Sequence, residues 1–138
     1  MIVLNFIVIL VLLLIIDIPM ITIINKKMYS DAFLKINNGN ISTGSSGIIS
    51  AIICYLLLTF GIYYFIVGPE IHNFTSYNKI FIKGLLLGLL VYGIYNTTNK
   101  STINKYSTLV TIIDTIWGSI LFGIVSVLSL FIINKFSL

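Results

Sequence analysis

The chain has little charge, and its positive charge comes from lysine alone. Only 9% of its 138 residues are charged, whereas a soluble globular domain averages roughly 25%. Eight basic residues, all lysines, stand against four acidic residues, and the mean hydropathy is +1.10. This shortage of charge excludes an ordinary soluble domain and is typical of an integral membrane protein.

Cysteine and histidine each occur once, as Cys54 and His72. One cysteine cannot form an internal disulfide, and its spacing from the histidine matches no metal-binding motif. We therefore predict no metal site and no cofactor. The lysines lie in loops and near segment ends rather than on one exposed basic face, which argues against nucleic-acid binding and favours contact with membrane lipid.

Four segments of the chain are long and apolar enough to cross a bilayer, for which a helix needs about 20 apolar residues. The first segment lacks the basic start and the small-residue cleavage pattern of a signal peptide, so we expect it to be retained. The sequence thus predicts a single transmembrane domain over residues 1–138, an all-α integral membrane four-helix bundle. Its helices are predicted at residues 2–24, 48–67, 79–98 and 109–133.

Two carboxylates lie inside these predicted spans. Asp17 falls late in the first helix beside Pro19, and Asp114 lies about 8 Å inside the fourth helix at 1.5 Å per residue. Because a charged group in hydrocarbon costs a few kcal/mol or more, we expect both side chains to face other helices. Pro19 lacks an amide hydrogen and frees a carbonyl one turn earlier, which predicts a kink beside Asp17.

Small residues mark the expected contact between the third and fourth helices. Gly84 and Gly88 form a GxxxG pair, a spacing that lets another helix approach closely, and Gly118 lies on the matching face of the fourth helix. Steps of three and four residues extend the face of the third helix to a set of polar side chains. These are Tyr92, Tyr95, Asn96 and Asn99.

The loops are predicted to be exposed. The first loop, residues 25–47, is rich in Gly, Asn and Ser and should be mobile, with residues 28–33 alternatively forming a short amphipathic turn at the interface. Together with residues 99–108 it holds five lysines, against three on the opposite side of the membrane. This bias predicts that the loops 25–47 and 99–108 are cytoplasmic.

The second helix is expected to end at Gly68 and Pro69, because proline cannot continue the helical hydrogen-bond ladder. Glu70 and His72 would then fall in an exposed turn. A catalytic pair is the less favoured interpretation of these two residues, since no other candidate ligand flanks them.

The four spans alternate in direction across the membrane. The ends of the first and third helices and the starts of the second and fourth therefore lie at the same membrane face. Polar residues that are distant in sequence should therefore converge in one half of the bilayer, above a mainly apolar half. The predicted polar cluster consists of Asp17, Tyr55, Tyr92, Tyr95, Asn96, Asn99, Asp114 and Trp117.

Two motifs within this cluster resemble those of a known family. The run from Tyr92 to Asn99, YGIYNTTN, and the later DTIWG from Asp114 to Gly118 are similar to the YxxYDLTN and VDxxWG motifs of DUF2177, a family of small uncharacterised membrane proteins. The similarity extends over nearly the whole chain and implies a four-helix membrane protein, without an activity.

The chain departs from this family pattern at two positions. Asn96 stands where the family usually has aspartate, and Met20 stands where it usually has tryptophan. Asparagine keeps the size of the side chain and one acceptor but adds donors. The first departure argues against a mechanism that requires a proton-transferring carboxylate at position 96.

Three functions are compatible with the predicted cluster. The first is binding or modification of a lipid-like molecule, with Asp17 and Asp114 as acid, base or anchoring groups. The second is structural: one hydrogen-bond network would lock the bundle, which would assemble with a second copy or another membrane protein. The third is proton or small-solute transport. No nucleophile motif, histidine cluster or phosphate-binding loop indicates a reaction, so the sequence leaves open whether the protein is an enzyme.

Overall fold

A computed structural model describes residues 1–37 and 44–137 of the chain. Four helices are long and apolar enough to cross a membrane, which confirms the prediction of an all-α membrane bundle. Two of the four spans contain a π-helical turn, in which the helix is locally widened. The elements are α1 (Ile2–Pro19) with a π-helical turn (Met20–Ile24), α2 (Lys26–Asn37), α3 (Ser45–Ile62) with a π-helical turn (Tyr63–Val67), α4 (Gly68–His72), α5 (Tyr77–Thr102) and α6 (Thr108–Phe136).

Helix α6 lies at the centre of the bundle and is the most buried of the four spans. It packs against α5 on one side and against α1 on another. Buried residues recur every four positions along α1, and they face buried apolar residues of α6, so the two helices meet along their length. The shared core includes Ile9, Leu13, Leu121, Phe122 and Val125.

Glycines allow α5 and α6 to approach almost backbone to backbone. A Cβ atom at Gly84 would lie 2.6 Å from the carbonyl oxygen of Phe122, and one at Gly88 would lie 2.5 Å from that of Gly118. At Gly118 a Cβ atom would overlap the ring of Tyr92. These contacts fix the side of α5 that carries Tyr92 and Asn96 against the start of α6.

The predicted distortion at Pro19 takes the form of a π-helical turn, Met20–Ile24, directly after the proline. The expectation that Gly68 and Pro69 end the second span is wrong. The helix widens at Tyr63–Val67, and Pro69 then occupies the first turn of α4, where its missing amide hydrogen costs nothing.

The extension of this span by α4 also corrects the prediction for Glu70. Its side chain is only 2% exposed rather than solvated, and it accepts hydrogen bonds from the backbone N–H and the hydroxyl of Thr75. The Nζ of Lys83 lies 2.6 Å from Glu70 Oε1. His72 is exposed, as predicted, and the hydrogen bonds of Glu70 go to Thr75 and Lys83 rather than to His72.

The first connection is also more ordered than predicted, because Lys26–Asn37 form the helix α2. Of the rest of the predicted mobile loop, residues 38–43 lie outside the described residues, and residues 45–47 form the start of α3. One face of α2 packs against Tyr106, which lies in the connection at residues 103–107, and against Val110 of α6. Ala32 of α2 is buried in this contact. The helix therefore lies across one end of the bundle, referred to below as the α2 end.

Candidate functional site

A cavity of about 330 Å³ lies at the α2 end, between α3 and α5. Helix α3 packs along α1, whereas its π-helical turn Tyr63–Val67 contacts α5 further from the α2 end. The two helices are thus separated beside the cavity. Several lining residues on their facing sides are exposed on the outer surface of the bundle, so the cavity opens sideways toward lipid. These exposed residues are Ala51, Cys54, Val91 and Tyr95.

The lining of this cavity, which we call the cleft, is mostly apolar but holds both intramembrane aspartates. Its walls come from α1 and the π-helical turn that follows it, from α2, α3, α5 and α6, and from the connection between α5 and α6. The lining residues are Asp17, Ile21, Tyr29, Phe33, Ala51, Cys54, Tyr55, Leu58, Val91, Tyr92, Tyr95, Tyr106, Val110 and Asp114.

Asp17 is held by two aromatic donors from different helices. The Nε1–H of Trp117 donates to its Oδ1 at 2.8 Å, and the hydroxyl of Tyr55 donates to its Oδ2 at 2.9 Å. Asp17 as a whole is only 4% exposed. Because both donors are neutral, they orient the carboxyl group without bringing a positive charge to it.

Asp114 is held by a second set of neutral donors. The hydroxyl of Tyr29 donates to its Oδ1 at 2.5 Å, and Asn96 Nδ2 donates to its Oδ2 at 2.7 Å. Asn96 is fully buried, donates also to the Tyr92 carbonyl, and accepts a hydrogen bond from the Tyr106 hydroxyl at 2.9 Å. The single network expected from the sequence is therefore two sets of hydrogen bonds, one at each carboxylate.

Tyr29 of α2 lines the cleft and connects this helix to Asp114 through its hydroxyl. Burial and the adjacent Asp114 carboxylate raise the pKa of the Tyr29 phenol well above its usual value, so its hydroxyl stays protonated and acts as a donor. Phe33 lies one turn further along α2, stacks on the ring of Tyr29 and also lines the cleft. Helix α2 thus forms a wall of the site rather than a free loop.

Tyr106 reaches the same site from the connection between α5 and α6. Lys105 adopts a left-handed backbone conformation with φ of 67°, and Tyr106 follows it with a side chain only 6% exposed. Lys100 Nζ donates to the Tyr106 carbonyl oxygen at 2.6 Å. Burial raises the pKa of the Tyr106 phenol, which favours its role as a donor to Asn96.

The structure places the eight residues of the predicted cluster in three positions. Five of them line the cleft. Asn96 and Trp117 do not line it but donate hydrogen bonds to Asp114 and Asp17, respectively. Asn99 lies beside Tyr106 and does not line the cleft. The five lining residues are Asp17, Tyr55, Tyr92, Tyr95 and Asp114.

Sequence reasoning missed Tyr29 and Tyr106 as parts of the site. Both lie in segments interpreted as interfacial or loop structure, where no helical periodicity connects them to the spans. The available signal was the spacing of Tyr29, Ala32 and Phe33, which places two aromatic side chains and one small side chain on the same face of a short helix.

Charge is distributed unevenly around the bundle. Among residues 1–37 and 44–137 the one ion pair is Lys83 with Glu70, at the end remote from α2. None of the basic side chains in this part of the chain lines the cleft. In the same described residues, no group of three His, Cys, Asp or Glu side chains has the geometry of a metal site.

A family model described as a predicted membrane protein, DUF2177, matches residues 2–131 of the chain. No curated protein and no solved structure matches it.

Proposed function

The chain belongs to the DUF2177 family of predicted membrane proteins, and from the geometry of the cleft we propose that it binds an amphiphilic molecule of the membrane. The observation that supports this proposal is a cavity with apolar walls, a polar floor and a lateral opening between α3 and α5. Binding pockets for small molecules combine mainly apolar linings with a few oriented polar groups. The chain of an amphiphile would lie toward the bilayer, with its polar end at the aspartates.

The size of the cleft limits what enters it. A volume of about 330 Å³ is near the lower end of the range for ligand pockets, roughly 300–1,000 Å³. The polar end of a lipid and its first carbons fit this volume, while the remainder of a long chain would leave through the gap between α3 and α5. Binding does not require the helices to separate.

Transport is less well supported than binding. Beyond the cleft, the described core between α1, α3 and α6 is filled mainly by large apolar side chains, including Ile9, Leu13, Ile62 and Phe122, all fully buried. The buried polar side chains on these helices are uncharged: Asn5, Thr59, Ser126 and Ser129. A conduction path through this layer would need a continuous series of polar groups or space for water. A structural role is the second candidate, because the hydrogen bonds at Asp17 and Asp114 join five helices of the bundle.

Filling the cleft separates binding from a purely structural role. We expect Val91→Trp to displace the bound amphiphile, because Val91 lines the cleft and tryptophan adds an indole ring to it. Leu90→Trp is the matched control, since Leu90 is the preceding residue and is 60% exposed on the lipid-facing surface. The measurement is mass spectrometry of lipids that remain with each protein after purification in dodecyl maltoside and extensive washing.

The expected result is an amphiphile enriched with the wild type and with Leu90→Trp, and depleted from Val91→Trp while that variant keeps its helical circular dichroism. Equal retention by the two tryptophan variants, or no enriched molecule in any sample, would contradict the proposal and leave the structural role.

A further inference from the structure

The cleft holds two carboxyl groups and none of the basic side chains of the described residues. Asp17 and Asp114 both line it, and the four carboxylate oxygens accept hydrogen bonds from Trp117, Tyr55, Tyr29 and Asn96, which are all neutral. The one ion pair of the described residues involves Glu70 at the other end of the bundle. Two acidic groups withdrawn from bulk water are stabilised when a positive charge enters beside them.

Aromatic rings surround the same space. Five tyrosines and one phenylalanine line the cleft, and the ring of Tyr92 lies between α5 and α6 where Gly118 makes room for it. The face of an aromatic ring attracts a cation, and cages of such rings recognise ammonium groups. The aromatic lining residues are Tyr29, Phe33, Tyr55, Tyr92, Tyr95 and Tyr106.

Anionic headgroups lack partners in the cleft. Recognition of phosphate or sulfate uses lysine, arginine or free backbone N–H groups. Two of the three lysines of α2, Lys27 and Lys35, line a different groove together with Ser107 and Leu109. An anion in the cleft would instead face Asp17 and Asp114.

We infer that the amphiphile bound by the cleft bears an ammonium group, placed between the two aspartates and the tyrosine rings, with its hydrocarbon chain leaving between α3 and α5. This inference rests on the proposed function and specifies the chemistry of its ligand. Apolar residues beside the opening, including Leu58 and Val91, contact the first carbons of the chain.

Trp117 provides a built-in reporter for this inference. It is the only tryptophan of the chain, and its indole N–H donates to Asp17 at the cleft. A cation beside Asp17 changes the electrostatic environment of the indole and therefore its fluorescence. The probes are decyltrimethylammonium, decanol and decyl sulfate, which share a chain length and differ in charge, titrated into the full-length protein in dodecyl maltoside.

The expected result is a saturable change in Trp117 emission, half-complete at a concentration of decyltrimethylammonium roughly tenfold or more below that of decanol. Decyl sulfate should bind more weakly than decanol. Asp114→Asn should remove most of the preference for the cation, and this position is chosen because Asp114 does not contact the reporter. Tyr95→Leu tests the aromatic contribution independently, since Tyr95 is 57% exposed at the opening and lies outside the two carboxylate hydrogen-bond sets.

Each alternative outcome has a distinct meaning. Equal affinity for decyltrimethylammonium and decanol, or tighter binding of decyl sulfate, would overturn the ammonium assignment while leaving amphiphile binding in place. A cation preference that persists in both Asp114→Asn and Tyr95→Leu would overturn the assignment to this cleft. If none of the three probes gives a saturable Trp117 signal that Val91→Phe abolishes, the proposed function fails together with the ammonium assignment; phenylalanine at this position fills the cleft without adding a second tryptophan.

Discussion

Gly88→Ala is expected to disrupt the contact between α5 and α6 and to destabilise the bundle by about 3 kcal/mol, the upper end of the usual range for overpacking. The added Cβ atom would lie 2.5 Å from the Gly118 carbonyl oxygen and 2.8 Å from Ser119 Cα. Both neighbours are backbone atoms of a packed helix, so neither can rotate away. Separation of the helices would also weaken the hydrogen bond from Ser119 Oγ to the Leu85 carbonyl, 2.7 Å in the wild type.

Gly93→Ala is the matched control on the same helix. A Cβ atom there would come no closer than 3.7 Å to Thr115 Cγ2, an ordinary contact. Replacement of glycine within a helix by alanine favours the helix by up to about 1 kcal/mol, so this variant should be as stable as the wild type or more so. Thermal unfolding in detergent, followed by circular dichroism, compares the two. A Gly88→Ala protein as stable as Gly93→Ala would show that α5 and α6 do not pack as described.

Asn96→Ala is expected to destabilise the α2 end by about 2 to 4 kcal/mol, because it removes a buried amide that serves both as a hydrogen-bond donor and as an acceptor. The Tyr106 hydroxyl would lose its acceptor, and Asp114 would lose one of its two donors. Asn96 is fully buried, which limits replacement of these bonds by water. The contact of α2 with the rest of the bundle should weaken as well, because Tyr29 donates a hydrogen bond to Asp114 and α2 packs against Tyr106.

Thr97→Ala tests whether this effect depends on the amide rather than on any polar residue of α5. Thr97 follows Asn96, is exposed, and bonds only to carbonyls of its own helix, at Gly93 and Ile94. Its replacement should change stability by no more than about 0.5 kcal/mol. Amide hydrogen exchange should show faster exchange in α2 and at residues 103–107 for Asn96→Ala alone. Unchanged exchange in those segments would mean that Asn96 does not hold the α2 end together.

The spans were predictable because length and hydropathy are properties of contiguous sequence, whereas α2 depends on distant contacts. Residues 26–37 mix charged and apolar side chains, and they form a helix against Tyr106 and Val110, far away in sequence. Pro69 illustrates a similar limit. A proline normally ends a helix, but a preceding π-helical turn places it where a new turn begins.

The inward orientation of the two aspartates was predictable, because a carboxylate in a membrane-spanning segment faces the bundle interior or a water-filled cavity rather than lipid. Their partners were predictable only in part. Asn96 and Trp117 lie on helical faces that periodicity identifies, whereas Tyr29 reaches Asp114 only because α2 folds back over the bundle. Glu70 was misplaced for a related reason, since its burial depends on the continuation of the second span through α4 and on its partner Lys83.

Occupancy of the cleft can be measured most directly at Cys54, the only thiol of the chain and a lining residue of the opening. The measurement is the rate at which N-ethylmaleimide alkylates delipidated protein with and without decyltrimethylammonium. The control carries Cys54→Ala and Ile53→Cys, which moves the thiol to the neighbouring position, 52% exposed in the wild type and outside the cleft lining. An occupied cleft predicts slower alkylation of Cys54 and an unchanged rate at position 53; the same rate of Cys54 alkylation with and without the amphiphile would contradict it.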